Sequence, residues 1–74
     1  MVAQNAGLTF DVRSNNATSL INLYQDGTLI GQNLGDAASA VVSTTTPGKS
    51  YLRYSVESGG DVIVDSTYFV VTTA

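Results

Sequence analysis

The sequence predicts an all-β protein, built as a sandwich or small barrel from six short strands. Three observations lead to this prediction. Apolar segments recur about every ten residues, and turn residues separate them. The chain is rich in Val, Thr and Tyr, which favour a pleated, half-buried surface, whereas Lys, Glu and Met occur once each. No segment longer than eight residues has the apolar spacing of an amphipathic helix, so we expect almost no helix.

The first two predicted strands alternate apolar and polar side chains with a period of two. They comprise residues 8–14 and residues 19–25. Residues 15–18 form a turn between them, because Asn tolerates a left-handed backbone. In each strand, one row of side chains is therefore predicted to face the core and the other row to face solvent.

A β-hairpin is predicted at Asp26-Gly27, because Asp-Gly between apolar strands is the strongest short-range hairpin signal. A two-residue type I′ loop pairs Leu23 with Ile30. The same loop pairs Tyr24 with Leu29. A three-residue loop instead pairs Leu23 with Leu29, and the alternation of side chains makes these registers mutually exclusive. We favour the two-residue loop, which places the β-branched Ile30 against Leu23.

Four more segments complete the six strands. They are residues 28–32, the weaker segment 37–45, residues 49–57 and residues 62–72. Loops are predicted between them at 33–36, 46–48 and 58–61, where Gly, Pro, Asn and Asp concentrate. We expect a bulge or kink near Asp65-Ser66, because a charge there interrupts the apolar run of the last strand.

The residue inventory excludes most catalytic and metal chemistry. The chain has no Cys and no His, so it lacks the usual zinc and copper ligands and the general base of a Ser-His-Asp triad. Its six acidic residues do not form the pattern of a calcium-binding loop. We therefore predict a non-enzymatic protein without catalytic residues, a cofactor or a metal site.

Charge and hydropathy restrict the class of partner. A net charge of −3 and a charged fraction of 12% argue against nucleic acid, and no 18-residue apolar run predicts a membrane span. Residues 1–7 have neither the basic nor the apolar region of a secretory signal, so we expect either that the protein stays where it is made or that this chain is a piece of a longer one. A domain of 74 residues without a disulfide buries a limited core, so docking on a larger partner would stabilise it.

Two segments resemble bacterial and phage immunoglobulin-like domains. Residues 21–31 are similar to the central hairpin of that family, with alternating apolar residues, an acidic-Gly turn and a strand ending in Gly. Residues 47–56 are similar to the Pro-Gly turn and aromatic strand that precede the last hairpin. The resemblance implies a single domain, residues 1–74, folded as an immunoglobulin-like β-sandwich of six to seven antiparallel strands. It also gives Tyr54 the role of a tyrosine corner.

The same resemblance and the low charge imply a structural protein of a virion. We expect a capsid decoration or cement protein of a tailed phage, docked on the major capsid protein or another virion protein and in some cases forming a homo-oligomer. A hydroxyl-rich surface with few Lys and Glu residues favours such docking, because interface cores are depleted in both. The predicted contact residues are Leu20, Tyr24, Leu29, Tyr51 and Arg53.

Two other functions fit the same residues. The chain can be a spacer or carbohydrate-contact module of a bacterial surface protein, in which Tyr24, Tyr51 and Tyr68 stack on sugars. It can also be an inhibitor that presents the loop at residues 33–37 to an enzyme. Further domains after residue 74 would favour the surface module over the virion protein.

Overall fold

The protein is built from seven strands in two sheets, as a computed structural model that describes residues 1–73 shows. The strands are β1 (Val2–Ala3), β2 (Thr9–Arg13), β3 (Leu20–Gln25), β4 (Thr28–Leu34), β5 (Ala37–Val41), β6 (Gly48–Ser58) and β7 (Asp61–Thr72). The larger sheet has the order β1-β7-β6-β3-β4, and β2 pairs with β5 in the smaller one. The predicted all-β class is confirmed. Within residues 1–73 there is no helix of the length and hydropathy needed to span a membrane.

Strand β1 is absent from the predicted set of strands. It comprises two residues and runs parallel to the end of β7, with Val2 opposite Val71 and Ala3 opposite Thr72. The larger sheet is therefore mixed, and the prediction of antiparallel strands throughout is wrong. A two-residue strand is too short to show an alternation in sequence, so only its pairing with β7 defines it.

The turn at Asp26-Gly27 is the predicted two-residue hairpin loop. Both residues have a positive φ, 49° at Asp26 and 83° at Gly27, as a type I′ turn requires. Tyr24 lies opposite Leu29, as predicted for this loop.

The pairing predicted between Leu23 and Ile30 is wrong, because β4 contains a β-bulge. The register shifts after the Tyr24–Leu29 pair, so Gly31 lies opposite Leu23 and Ile30 becomes the extra residue. Ile30 packs against the core. A Cβ atom on Gly31 would lie 3.0 Å from the Cβ of Ala40, so only glycine at this position lets β5 approach β4 so closely.

Two predicted boundaries also differ from the structure. β4 continues to Leu34, since Asn33 still pairs with Ile21, and this shortens the predicted loop at residues 33–36 to Gly35-Asp36. The loop proposed to inhibit an enzyme, residues 33–37, is therefore mostly strand. β5 ends at Val41, several residues before the predicted end of that segment at residue 45.

The bulge predicted near Asp65-Ser66 is wrong. β7 pairs with β6 in one uninterrupted register from Asp61 to Val71. The smaller sheet does not cover this part of β7, where residues 61–68 are all exposed. The carboxylate of Asp65 therefore reaches solvent from a regular strand.

The core lies between the smaller sheet and the central strands of the larger one. Its buried residues are Val12, Ile21, Leu23, Ala38, Ala40 and Val56. Phe10 of β2 packs edge-on against Tyr54 of β6, with the ring centroids 6.4 Å apart. Tyr54, predicted as a tyrosine corner, thus has a packing role at the rim of the core.

A buried polar network joins the two sheets beside the hairpin turn. The Gln25 amide nitrogen donates to the Ser43 carbonyl at 2.8 Å and to the Ser50 hydroxyl at 3.0 Å, and the Ser43 amide donates back to Gln25 Oε1 at 2.9 Å. The Asp26 carboxylate accepts from the Ser50 hydroxyl and from the Tyr51 amide, both at 2.8 Å. These bonds hold the hairpin turn and the segment after β5 against the start of β6.

Candidate functional site

All five predicted contact residues lie on one surface, the side of the larger sheet that faces away from β2 and β5. Alternation explains this placement, because Ile21, Leu23 and Gln25 of β3 are buried and the residues between them point outward. We call this surface the outer face. It comprises Leu20, Asn22 and Tyr24 of β3, Leu29, Gln32 and Leu34 of β4, Lys49, Tyr51, Arg53, Ser55 and Glu57 of β6, and Val62, Val64, Ser66, Tyr68 and Val70 of β7.

Aromatic rings and cations occupy one end of the outer face. Arg53 lies directly opposite Tyr24, and its guanidinium carbon is 4.5 Å from the centre of the Tyr24 ring. Tyr51 lies opposite Tyr68 with the ring centroids 6.3 Å apart, and Lys49 Nζ lies 4.4 Å from the Tyr68 ring. Both cation–ring distances are within the range of cation–π attraction.

This aromatic end remains accessible to a partner. Tyr51 is 54% exposed and Tyr68 is 56% exposed, although each is in contact with its neighbour. Leu29 extends the cluster beside Tyr24 and is half exposed. Tyrosine and arginine are among the residue types most enriched at the centres of protein interfaces.

A row of amide and hydroxyl side chains crosses the middle of the outer face. Gln32 donates to the Asn22 side-chain oxygen at 2.6 Å, and the Asn22 side-chain nitrogen donates to the Ser55 hydroxyl at 3.3 Å. These bonds connect β4, β3 and β6 through uncharged groups. The row therefore orders three strands without adding charge to the face.

Aliphatic side chains dominate the other end of the outer face. Leu20 lies between Leu34 and Glu57 in the strand register, and Glu57 in turn lies opposite Val62. Leu34 is 71% exposed. Of the five predicted contact residues, Leu20 is the one in this aliphatic end; Tyr24, Leu29, Arg53 and Tyr51 are at the aromatic end.

Sequence reasoning did not assign β7 to the contact surface. Val62, Ile63 and Val64 are each more than half exposed, and they are consecutive, so they cover both faces of the strand. In the sequence these residues form an apolar run without alternation, a pattern that is ordinarily typical of a buried strand. The structure shows that this run is exposed, because the smaller sheet has only the two strands β2 and β5 and does not cover residues 61–68.

Among residues 1–73, no group of three or more Cys, His, Asp or Glu side chains could hold a metal ion. A cleft of about 380 Å³ opens beside the hairpin turn, between Gln25, Ile30 and Pro47. Its buried polar groups belong to the Gln25 network and bond to one another, so the cleft has a structural explanation.

Comparison of the chain with protein-family models, with curated proteins and with solved structures found no match.

Proposed function

We propose that the protein is a non-enzymatic structural module that attaches to a larger protein assembly through its outer face. In the form that we favour, it is a capsid decoration or cement protein of a tailed-phage virion, docked on the major capsid protein or another virion protein. The observation that carries the proposal is the composition of this face. Of its sixteen side chains three are charged, Lys49, Arg53 and Glu57, and the rest are aromatic, aliphatic or uncharged polar.

We assign the fold to the immunoglobulin-like sandwiches. The strand order supports this assignment, because β7, β6, β3 and β4 occupy the positions of strands G, F, C and C′ of a variable-type domain. In the same comparison β2 and β5 occupy the positions of strands B and E in the facing sheet. Such domains serve many functions, so the assignment supports a binding module without specifying its partner.

A protein partner fits the outer face better than a carbohydrate does. Carbohydrate sites stack sugars on open ring faces, whereas here Arg53 and Lys49 lie over the rings of Tyr24 and Tyr68. The aliphatic side chains of Leu29 and Leu34 offer further apolar area to a protein surface. Burying such area is the main source of affinity in protein association.

The virion assignment is tested by fractionating the source material on a density gradient and quantifying this chain in each fraction by mass spectrometry. We expect it to travel with megadalton particles at a copy number close to that of the shell protein. Recovery as a free protein, or as part of a longer cell-bound polypeptide, would overturn the virion assignment and favour the surface-module alternative.

The docking face is tested by rebinding purified protein to particles stripped of it. Replacing Tyr24 by Ala removes the ring at the centre of the aromatic end, and we expect attachment to weaken about tenfold or more, as for a central interface aromatic. Ser39→Ala, at an exposed position of β5, is the control and should bind like the wild type. A Tyr24→Ala variant that attaches as the wild type does would remove Tyr24 from the interface.

A further inference from the structure

We propose that two copies of this chain pair through the free edge of β7 to form an antiparallel, twofold-symmetric dimer. This inference goes beyond the proposed function, because it uses the backbone edge of the larger sheet and not its outer face. It rests on the accessibility of that edge, on its limited protection and on a symmetry in its sequence.

Most of one edge of β7 has no partner strand in the described chain. β6 pairs with β7 along its whole length, but on the other side β1 pairs only with Val71 and Thr72. Asp61 closes the hairpin opposite Ser58, so nine residues, 62–70, have a free edge. Alternate residues of this segment direct backbone N–H and C=O groups away from β6, which is a template for another strand. One of these groups, the Ser66 amide, donates to the Asp65 carboxylate at 2.8 Å, a bond that strand pairing at Ser66 would replace.

The free edge has one of the usual features that prevent pairing and lacks the others. Proteins protect edges with Lys, Pro, bulges, very short strands or charges on the inward-facing side, and Asp65 is such a charge, because it lies opposite Tyr54 of β6. Residues 62–70 contain neither Lys nor Pro, and their register with β6 has no bulge. Asp65 is their one charged residue, and Ile63 is 62% exposed on the face that the smaller sheet leaves open.

The sequence of the free edge reads similarly in both directions, which argues for a second copy as its occupant. An apolar triplet, residues 62–64, precedes the polar triplet Asp65-Ser66-Thr67, and a second apolar triplet, residues 68–70, follows. The pattern is symmetric about Ser66, which is also the midpoint of the free edge. Antiparallel pairing about a twofold axis at Ser66 therefore places each apolar triplet against the other apolar triplet of its partner.

Asp65 discriminates between the possible registers. A twofold axis at residue 65 would place two Asp65 carboxylates directly opposite each other, which is destabilising. An axis at Ser66 places Asp65 opposite Thr67 instead and uses the whole free edge. The remaining pairs in this register are Val62 with Val70, Ile63 with Phe69 and Val64 with Tyr68.

The register is tested by a cysteine at the axis, since the chain has no Cys of its own. In Ser66→Cys the two thiols lie opposite each other across the axis, so mild oxidation of the purified protein should give a disulfide-linked dimer. Ser39→Cys, at an exposed position of β5 in the smaller sheet, is the matched control and should remain largely monomeric. Equal rates of cross-linking in the two variants would overturn the proposed pairing.

A charge at the axis tests the dimer without a cross-link. Within one chain Ser66 lies opposite Arg53, so Ser66→Glu should preserve the fold while placing two carboxylates opposite each other in the dimer. We expect wild-type protein to sediment as a dimer and Ser66→Glu as a folded monomer. Gln32→Glu adds the same charge on β4, at the other edge of the larger sheet, and should remain dimeric.

Three results would refute the dimer. The first is a wild type that stays monomeric up to its solubility limit. The second is a Ser66→Glu variant that dimerises as the wild type does. The third is a β7 edge that is protected from hydrogen exchange only when a different protein is added. The last result would assign the edge to that protein. Because the first two measurements use the isolated chain, they are independent of whether the outer face docks on a virion.

Discussion

The side-chain amide of Gln25 and the backbone of Ser43 exchange two hydrogen bonds, of 2.8 Å and 2.9 Å. Two paired strands exchange hydrogen bonds in the same reciprocal way. Here the side chain of Gln25 takes the place of one strand's backbone. It fastens the segment after β5 to the last residue of β3 and so ties the two sheets together beside the hairpin turn. The same amide bonds to Ser50, which bonds to Asp26, and Asp26 accepts from the Tyr51 amide at the aromatic end of the outer face.

We predict that Gln25→Ala destabilises the protein by about 2–4 kcal/mol, because it removes the side-chain partner of both the amide and the carbonyl of Ser43 and creates a cavity. The free energy of unfolding in urea measures the loss. Gln32→Ala is the matched control, since that side chain is exposed and makes a single bond to Asn22; it should cost less than about 1 kcal/mol. Similar losses in the two variants would contradict a structural role for the network.

Gly31 should be intolerant of a methyl group. A Cβ there would lie 3.0 Å from the Cβ of Ala40 and 3.4 Å from Leu23, so Gly31→Ala is expected to cost about 1–3 kcal/mol by overpacking. Gly7→Ala provides the control, because a Cβ at Gly7 meets no atom within 4 Å. Its thermal midpoint should stay unchanged or rise slightly, since alanine restricts the unfolded chain. A Gly31→Ala protein as stable as Gly7→Ala would mean that β5 can move away from β4.

Leu23 and Leu34 should differ strongly in their contribution to stability. Leu23 is fully buried and Leu34 is 71% exposed. We expect Leu23→Ala to lose about 2–5 kcal/mol and Leu34→Ala to lose less than about 0.5 kcal/mol in the same denaturation experiment. A large loss at Leu34 would show that the aliphatic end of the outer face is covered in solution, as a dimer or other partner would cover it.

Tyr24 and Arg53 should be energetically coupled. A double-mutant cycle with Tyr24→Leu and Arg53→Met measures the coupling, which we expect to be about 0.5–1 kcal/mol for a cation over an exposed ring. Lys49 lies over Tyr68 and Tyr51, so the cycle that pairs Lys49→Met with Tyr24→Leu should give a coupling near zero. Equal coupling in the two cycles would indicate a general effect of charge and not a contact.

Much of the candidate site could be predicted from the sequence. Leu20, Tyr24, Leu29, Tyr51 and Arg53 were grouped from alternation alone, and the structure places all five on the outer face. Their part in docking remains a prediction. The exposure of Ile63 and its neighbours could not be predicted in this way, because an apolar run reads the same whether or not another sheet covers it.

Local patterns in the sequence predict strands β2 to β7, their inner and outer rows of side chains and the turn at Asp26-Gly27. These features depend on neighbouring residues, through the period of two and the φ angles that each residue tolerates. The tertiary structure decided the bulge at Ile30, the regular course of β7 past Asp65 and the parallel pairing of β1. Each of these depends on whether a distant strand comes close. Ala40 lies against Gly31 and Val71 lies beside Val2, whereas Asp65 faces open solvent. Such contacts join residues far apart in the chain, and no local pattern encodes them.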